Sequence, residues 1–209
     1  IRDQSISVEE GTYLLSFCNN TSPIFIINFL VWKTLEKKEL LLPSLMILLG
    51  TPVVMSFLFR SIYKRGRKGS TGRNILEKQK SCVTKKKSVE SCMMDSFETI
   101  VKVGGYLIIF SVLLELAEQT GQKNIAATLL LSTLEVTNGI LMIAKRFPEI
   151  STAYPLLIGL TSMGGICSLA QTKSMIRGTG LKLSDYIIQK LATAVAASGF
   201  AILYSKFNF

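Results

Sequence analysis

The sequence predicts an all-α, polytopic membrane protein with broken helices and one re-entrant helical hairpin, part of an inverted-repeat fold like that of secondary transporters. Three observations lead to this fold class. Uncharged, mostly apolar runs cover residues 11–32, 40–59 and 150–172, and each exceeds the ~18 residues that indicate a membrane span. Basic residues are concentrated in the segment 64–95. Small polar and turn-forming residues interrupt several apolar runs, which is costly in a bilayer unless the interrupted backbone lines a cavity.

The composition excludes an ordinary soluble domain. Hydrophobic residues make up 48% of the 209 residues, and 18% are charged, against about 25% in soluble domains. The mean hydropathy is +0.39. The chain begins with Ile1, and the polar residues after it show no signal-peptide pattern. We therefore expect a C-terminal half or fragment of a longer integral membrane protein that is surrounded by lipid.

The charge pattern divides the chain into two membrane units joined by a basic loop. The loop, residues 64–95, holds ten basic and three acidic residues, and basic loops beside spans remain on the cytoplasmic side. It lacks the interleaved aromatic residues of a nucleic-acid-binding patch, so we expect it to contact anionic lipid headgroups and no nucleic acid. The predicted units are residues 1–63, with spans at about 14–32 and 40–63, and residues 96–209, with a span at 96–118, a hairpin at 124–144 and spans at 150–172 and 185–207.

The first span is interrupted by a run of hydrogen-bonding residues. This run consists of Asn19, Asn20, Thr21 and Ser22, and Pro23 follows it. Pro23 removes a backbone donor and frees a carbonyl group one turn earlier. We interpret the run as a broken helix whose side chains bind a solute. The alternative is that Ser, Thr and Asn side chains here connect neighbouring helices.

A second interruption lies in the apolar stretch 129–143, where Glu135 precedes Thr137, Asn138 and Gly139. A carboxylate in hydrocarbon costs at least ~2.5–3.5 kcal/mol, and Asn-Gly is a strong turn signal because both residues accept positive φ. We predict a re-entrant hairpin that turns at Asn-Gly, has Glu135 near its tip and presents Glu135, Thr137 and Asn138 to the solute. The alternative is one ordinary transmembrane helix whose glutamate pairs inside a bundle.

The membrane topology favours the hairpin independently of the turn signal. If the loop 64–95 is cytoplasmic, a full span at 124–144 would place the basic segment 173–182 outside the cell. A hairpin at 124–144 returns that segment to the cytoplasm.

A third interruption lies in the span 150–172, where Ser162 is followed by Gly164 and Gly165 and, further on, by Gln171. We predict that these residues complete the solute site; the alternative is that the glycine pair only packs helices closely. Both interrupted spans precede a long apolar span and run in opposite directions. This pattern is typical of the inverted repeats of secondary transporters, whose broken helices meet at mid-membrane.

The residue content argues against an enzyme or a metalloprotein. The chain has four cysteines and no histidine, and Cys82 and Cys92 lie at a spacing that fits no zinc motif. No Gly-x-Ser-x-Gly nucleophile motif is present. We therefore expect no catalytic residue, no metal ligand and no cofactor, with the cysteines reduced.

At the three interruptions the chain resembles the YlbJ-like sporulation integral membrane proteins, members of the nucleoside-recognition or Gate domain group. The matching segments are residues 14–23, 134–139, 162–165 with Gln171, and 178–181 with Tyr186 and Lys190 beyond. The group is distantly similar to concentrative nucleoside transporters, whose hairpins present an acid and whose broken helices present Asn and Ser. By that likeness Glu135 matches a hairpin acid, and Ser162 stands where the transporter has Asn.

The resemblance implies a protein of the bacterial cell membrane or the forespore membrane, needed for the spore cortex and for moving dipicolinate into the spore. It also implies a family length of about twice this chain. Our first hypothesis is therefore transport of a small polar or anionic solute, with half-helix N-termini favouring an anion. Glu135 would then bind a proton, a coupling cation or a substrate hydroxyl. The second is a non-transporting membrane scaffold for cortex assembly that recruits partners through the loop 64–95, and a homo-oligomer is open under both.

Overall fold

The computed structural model describes residues 6–66, 88–119 and 124–208, with the side chains of 61–66 left out. Within these ranges every regular element is a helix. Five helical segments are long and apolar enough to cross a membrane, which confirms the prediction of an all-α integral membrane protein. They are Val8–Leu35, Lys38–Arg60, Val89–Gln119, Ile150–Met175 and Leu183–Asn208.

The first span is broken in its middle, as predicted. Helix α1, Val8–Cys18, begins with a capping box in which the Glu10 amide donates to Ser7 Oγ (3.1 Å) and the Ser7 amide donates to Glu10 Oε2 (3.0 Å). This cap starts the helix ahead of the predicted boundary at residue 14. After residues 19–22, helix α2 begins with Pro23–Phe25.

Helix α2 continues as a π-helix, Ile26–Leu35. Its buried residues recur every four to five positions, as the wider i→i+5 turn requires; they are Ile26, Leu30, Val31 and Leu35. The Thr34 hydroxyl follows the same period by donating to the carbonyl of Phe29 (2.9 Å). This face of α2 therefore enters the core of the bundle.

The predicted basic loop is shorter than the sequence suggested. Helix α3, Leu41–Gly66, follows a 3₁₀ turn at Lys38–Leu40, and helix α4, Val89–Gln119, includes the last residues assigned to the loop and starts ahead of the predicted span at 96–118. Within the first turns of α4, Ser96 Oγ donates to the Cys92 carbonyl of its own helix (2.8 Å). Residues 67–87, which hold most of the predicted loop, lie outside the described residues.

The predicted hairpin forms two short helices, α5 (Ile125–Ser132) and α6 (Val136–Arg146). The chain folds back between them, since a Cβ atom at Gly139 would lie 2.0 Å from the Ser132 carbonyl oxygen. The turn itself is at residues 133–135, so the prediction of a turn at Asn138-Gly139 is wrong. Gly139 lies within α6 and is required for the close approach of two backbones rather than for a positive φ.

The last part of the chain contains a second broken span and an unbroken helix. Helix α7, Ile150–Met163, and helix α8, Gly165–Met175, are separated at Gly164, and helix α9, Leu183–Asn208, follows. Helix α9 packs along α7: Ser198 Oγ donates to the Pro155 carbonyl (3.1 Å). The span predicted at 150–172 continues to Met175, and the span predicted at 185–207 is the helix Leu183–Asn208.

The buried core lies where α2, α3, α6, α7 and α9 meet. Ile26, Leu30, Ile140, Leu157 and Ile158 are among its fully buried aliphatic side chains. Helix α4 lies at the side of this bundle, and over its described length Val89–Gln119 only Leu114 is buried. A broken helix followed by a long one occurs twice, as α1–α2 before α3 and as α7–α8 before α9. The inverted relation between the two stays a prediction.

Candidate functional site

Three backbone breaks meet in the folded chain. The break between α1 and α2 contacts the end of α7, where Thr21 Oγ1 donates to the Thr161 carbonyl (2.9 Å). The turn of the hairpin contacts the start of α8, where the amides of Ile166 and Cys167 donate to the carbonyls of Thr133 (2.6 Å) and Leu134 (2.9 Å). The break between α7 and α8 is therefore the common neighbour of the other two.

In the first break, the predicted site residues mainly bond to protein groups. Asn19 Nδ2 donates to Thr172 Oγ1 (3.0 Å) and to the Tyr186 hydroxyl (2.7 Å), which joins α1 to α8 and α9. Asn20 Nδ2 donates to the Phe17 carbonyl. Ser22 Oγ caps α2 by accepting from the Phe25 amide (3.3 Å). The side chains thus connect helices and also terminate them.

A lysine ammonium completes this break. Lys190 is 4% exposed, and its Nζ donates to the Asn19 carbonyl and to Asn20 Oδ1 (3.1 Å). It also lies 5.9 Å from the centroid of the Tyr186 ring. A charged side chain buried in a membrane span marks a functional site by default. Sequence reasoning left Lys190, Tyr186 and Thr172 out of the predicted site residues.

The sequence did contain a signal for Lys190. It is the single charged residue between residues 186 and 205 of an apolar segment, and Tyr186 precedes it by one helical turn. Its partners Asn19 and Asn20 are about 170 residues away in sequence, since the two contacts span 171 and 170 positions. No local sequence pattern predicts a contact between residues so far apart in the chain.

Glu135 is enclosed at the hairpin turn and caps helix α6. It is 1% exposed, and its two carboxylate oxygens accept from the amides of Thr137 (2.8 Å) and Asn138 (2.8 Å). The negative charge therefore lies at the N-terminal, positive end of α6, where it is stabilised. This geometry gives Glu135 a structural role that the sequence reading did not assign, and its predicted solute contact stays a prediction.

The other two predicted residues of the hairpin enter the site through their backbone. The amides of Thr137 and Asn138 hold the Glu135 carboxylate. The Asn138 side chain turns towards α4, where its Nδ2 donates to Ser111 Oγ (3.1 Å). Asn138 therefore bonds to α4 through its side chain and to Glu135 in the hairpin turn through its amide.

The third break combines two left-handed glycines with an unpaired hydroxyl. Gly164 and Gly165 have φ values of +80° and +75°, a region that glycine enters without strain. Ser162, which is separated from Gly164 by Met163 alone, is buried, and its Oγ has no hydrogen-bond partner among the residues that the structure describes. An unpaired buried hydroxyl costs free energy, so it indicates a place where a polar ligand can bind.

Gln171 lies on α8, one helical turn after Cys167. Its Nε2 contacts Cys167 Sγ (3.3 Å), and its side chain lines a cavity of about 360 Å³ between α4 and α8. The other polar lining residues include Asp95, Glu98, Lys102 and Ser174. Gln171 therefore lines this cavity and contacts Cys167, whose amide bonds to the hairpin turn.

The amides at the N-termini of the half-helices donate to other groups of the protein. Ser22 caps α2, Glu135 caps α6, and the first amides of α8 bond to the hairpin turn. These amides are therefore not free to bind an anion, contrary to the expectation from the sequence. The Lys190 ammonium is the positive group that the described site offers instead. No group of three or more His, Cys, Asp or Glu side chains in the described ranges is placed to hold a metal ion.

Comparison with known proteins found no relative of this chain. No protein-family model, curated protein or solved structure matches the chain. The functional assignment therefore depends on the arrangement of its own residues.

Proposed function

We propose that the chain is a membrane transporter for a small polar or anionic solute, which binds where the three backbone breaks meet. The observation that carries the proposal is the pair of contacts at the α7–α8 break, from Thr21 to Thr161 and from Ile166 to Thr133. Broken helices that meet at mid-membrane are the substrate sites of secondary transporters. The exposed polar backbone of a break is tolerated in a bilayer where it is enclosed by protein or lines a cavity.

The depth of the breaks supports this proposal. Residues 19–22 lie near the middle of the span Val8–Leu35, and Gly164 lies near the middle of Ile150–Met175. Helices α5 and α6 have 8 and 11 residues, so they are roughly 12 and 16 Å long, about half of the ~30 Å hydrocarbon core. The contact of their turn with the α7–α8 break supports a re-entrant hairpin that enters to half-depth and returns.

The ends of the bundle support the proposed orientation. A Cβ atom at Gly180 would lie 3.4 Å from Val8, so the basic segment 173–182 lies beside the start of α1. Positive segments beside spans favour the cytoplasmic side, which places the hairpin on the outer side. The membrane is that of a bacterial cell or a forespore under the resemblance to sporulation proteins.

The cargo is proposed from the resemblance and is compatible with the site. Dipicolinate is a small dianion with a ring nitrogen, and the site offers an ammonium group and a free hydroxyl to such a molecule. The Lys190 ammonium has three N–H donors, and the Asn19 and Asn20 oxygens accept two bonds from it. Ser162 adds a hydroxyl at the α7–α8 break.

Replacement of Ser162 by alanine is expected to weaken solute uptake without lowering the thermal stability. The Ser162 hydroxyl bonds to no described residue, so its removal breaks no protein contact, whereas a lost hydrogen bond to the solute weakens binding about 10-fold. The measurement is uptake of radiolabelled dipicolinate, with a nucleoside compared, into liposomes that contain the purified full-length protein.

The matched control is Ser56→Ala. Ser56 is also buried in a span, but its hydroxyl donates to the Val53 carbonyl of its own helix (2.7 Å), so uptake should stay at the wild-type level. Absence of uptake above protein-free liposomes for both solutes would reject transport and favour the membrane scaffold. Equal uptake by Ser162→Ala and wild type would remove the α7–α8 break from the site.

A further inference from the structure

The surroundings of Lys190 have the composition of a cation-binding site. Its ammonium donates to the Asn19 carbonyl and to Asn20 Oδ1 (3.1 Å), and it faces the Tyr186 ring at 5.9 Å from the centroid. Neutral oxygen atoms and aromatic faces also hold small free cations in proteins. Among the described residues no carboxylate forms an ion pair with Lys190, so neutral groups alone stabilise its charge.

The Lys190 ammonium lies beside the broken helix, at the place where such a helix binds a coupling ion. Asn19 is the C-terminal cap of α1, so its carbonyl oxygen lies at the negative end of that helix. In transporters with broken helices, unwound carbonyls and the C-terminal ends of half-helices coordinate the coupling Na⁺ or proton. Here the Lys190 ammonium, which comes from α9, lies at the C-terminal end of α1.

We propose that Lys190 is a tethered coupling cation, whose ammonium permanently occupies a site that would otherwise bind Na⁺. The chain therefore binds and carries its solute without sodium. This inference rests on the proposed transport function, since a coupling cation acts only in a carrier. The same ammonium also joins the α1 break to α9, beside the Asn19 bonds to Thr172 and Tyr186.

The test is the thermal unfolding of the purified chain in choline chloride, sodium chloride or methylammonium chloride at equal ionic strength. The wild type should unfold at the same temperature in all three salts. Lys190→Ala should lower the midpoint in choline chloride by about 5 °C, because the Asn19 and Asn20 oxygens lose their donor. Sodium or methylammonium should restore at least half of that shift by entering the space that the shorter side chain leaves.

Two variants separate cation binding from packing. Lys190→Met fills the same space with an apolar chain, so it should be destabilised with no recovery in any salt. Lys206→Ala removes an exposed lysine of the same helix and should leave the midpoint unchanged. If Lys190→Ala does not fold, Lys190→Ser leaves nearly the same room and gives the same comparison.

Three results would overturn the inference. They are a sodium-specific rise of the wild-type midpoint, an unchanged midpoint in Lys190→Ala, and a destabilised Lys190→Ala that no small cation restores. Unfolding involves no transport, so the two proposals fail separately. Cation recovery in a chain that carries no solute would reject the transport function and the coupling role but keep the cation site at Asn19 and Asn20. Sodium-independent uptake without recovery would reject the tethered cation alone.

Discussion

Replacing Gly139 by alanine is expected to lower the free energy of unfolding by about 3 kcal/mol or more, at or beyond the upper end of the usual overpacking range. The new Cβ atom would lie 2.0 Å from the carbonyl oxygen of Ser132 and 2.8 Å from its carbonyl carbon. Both atoms belong to the backbone, so no side-chain rotation relieves the clash. The two helices of the hairpin must separate, which lowers the midpoint of thermal unfolding by roughly 6–12 °C for a chain of this size.

The matched control for this variant is Gly199→Ala on α9. A Cβ atom at Gly199 meets no atom within 4 Å, and alanine is the better helix former by about 1 kcal/mol. We therefore expect a small rise of the midpoint for Gly199→Ala and a large fall for Gly139→Ala, both measured by far-UV circular dichroism in detergent. A rise of similar size in both variants would show that α5 and α6 do not approach closely.

Replacing Glu135 by alanine is expected to lower the free energy of unfolding by about 3–4 kcal/mol, because two charge-assisted hydrogen bonds are worth about 1.5–3 kcal/mol each. The amides of Thr137 and Asn138 would lose their acceptor in a site where the carboxylate is 1% exposed. Partial hydration of the space left by the side chain keeps the loss below the full sum. Thermal unfolding of the purified variant measures the effect.

Two conservative variants show whether capping explains the loss. Glu135→Gln keeps one acceptor oxygen and should lose about half as much stability as Glu135→Ala. Glu135→Asp places a shorter carboxylate at a position where aspartate is a preferred helix cap, so its loss should be about 1 kcal/mol or less. An alanine variant as stable as the aspartate variant would contradict the capping role.

The hairpin shows which parts of the fold were predictable from sequence. Its existence followed from the positions of charges along the chain, because the basic segment 173–182 had to share a side with the loop before α4. Its turn was misplaced by a few residues, because Asn-Gly in sequence does not distinguish a positive φ from a need for close backbone contact. Only the neighbouring Ser132 carbonyl makes that distinction, and it is a property of the folded chain.

The candidate site was predictable as a set of interruptions and not as a set of contacts. Residues 19–22, Glu135 and Ser162 were identified because each is expensive in an apolar run. Lys190 was missed because its role depends on the Asn19 carbonyl, which lies on another helix. The helix-capping role of Glu135 was missed because glutamate is not among the preferred N-cap residues.

Under the proposed transport function, the two backbone bonds between the hairpin turn and α8 constrain how the protein can alternate. Separating Ile166 and Cys167 from Thr133 and Leu134 would leave four polar groups without partners, at about 1–3 kcal/mol each where they are buried. We therefore expect the hairpin and α8 to move as one rigid body. We then expect the pivot at Gly164, which separates α7 from α8 and has a φ of +80°.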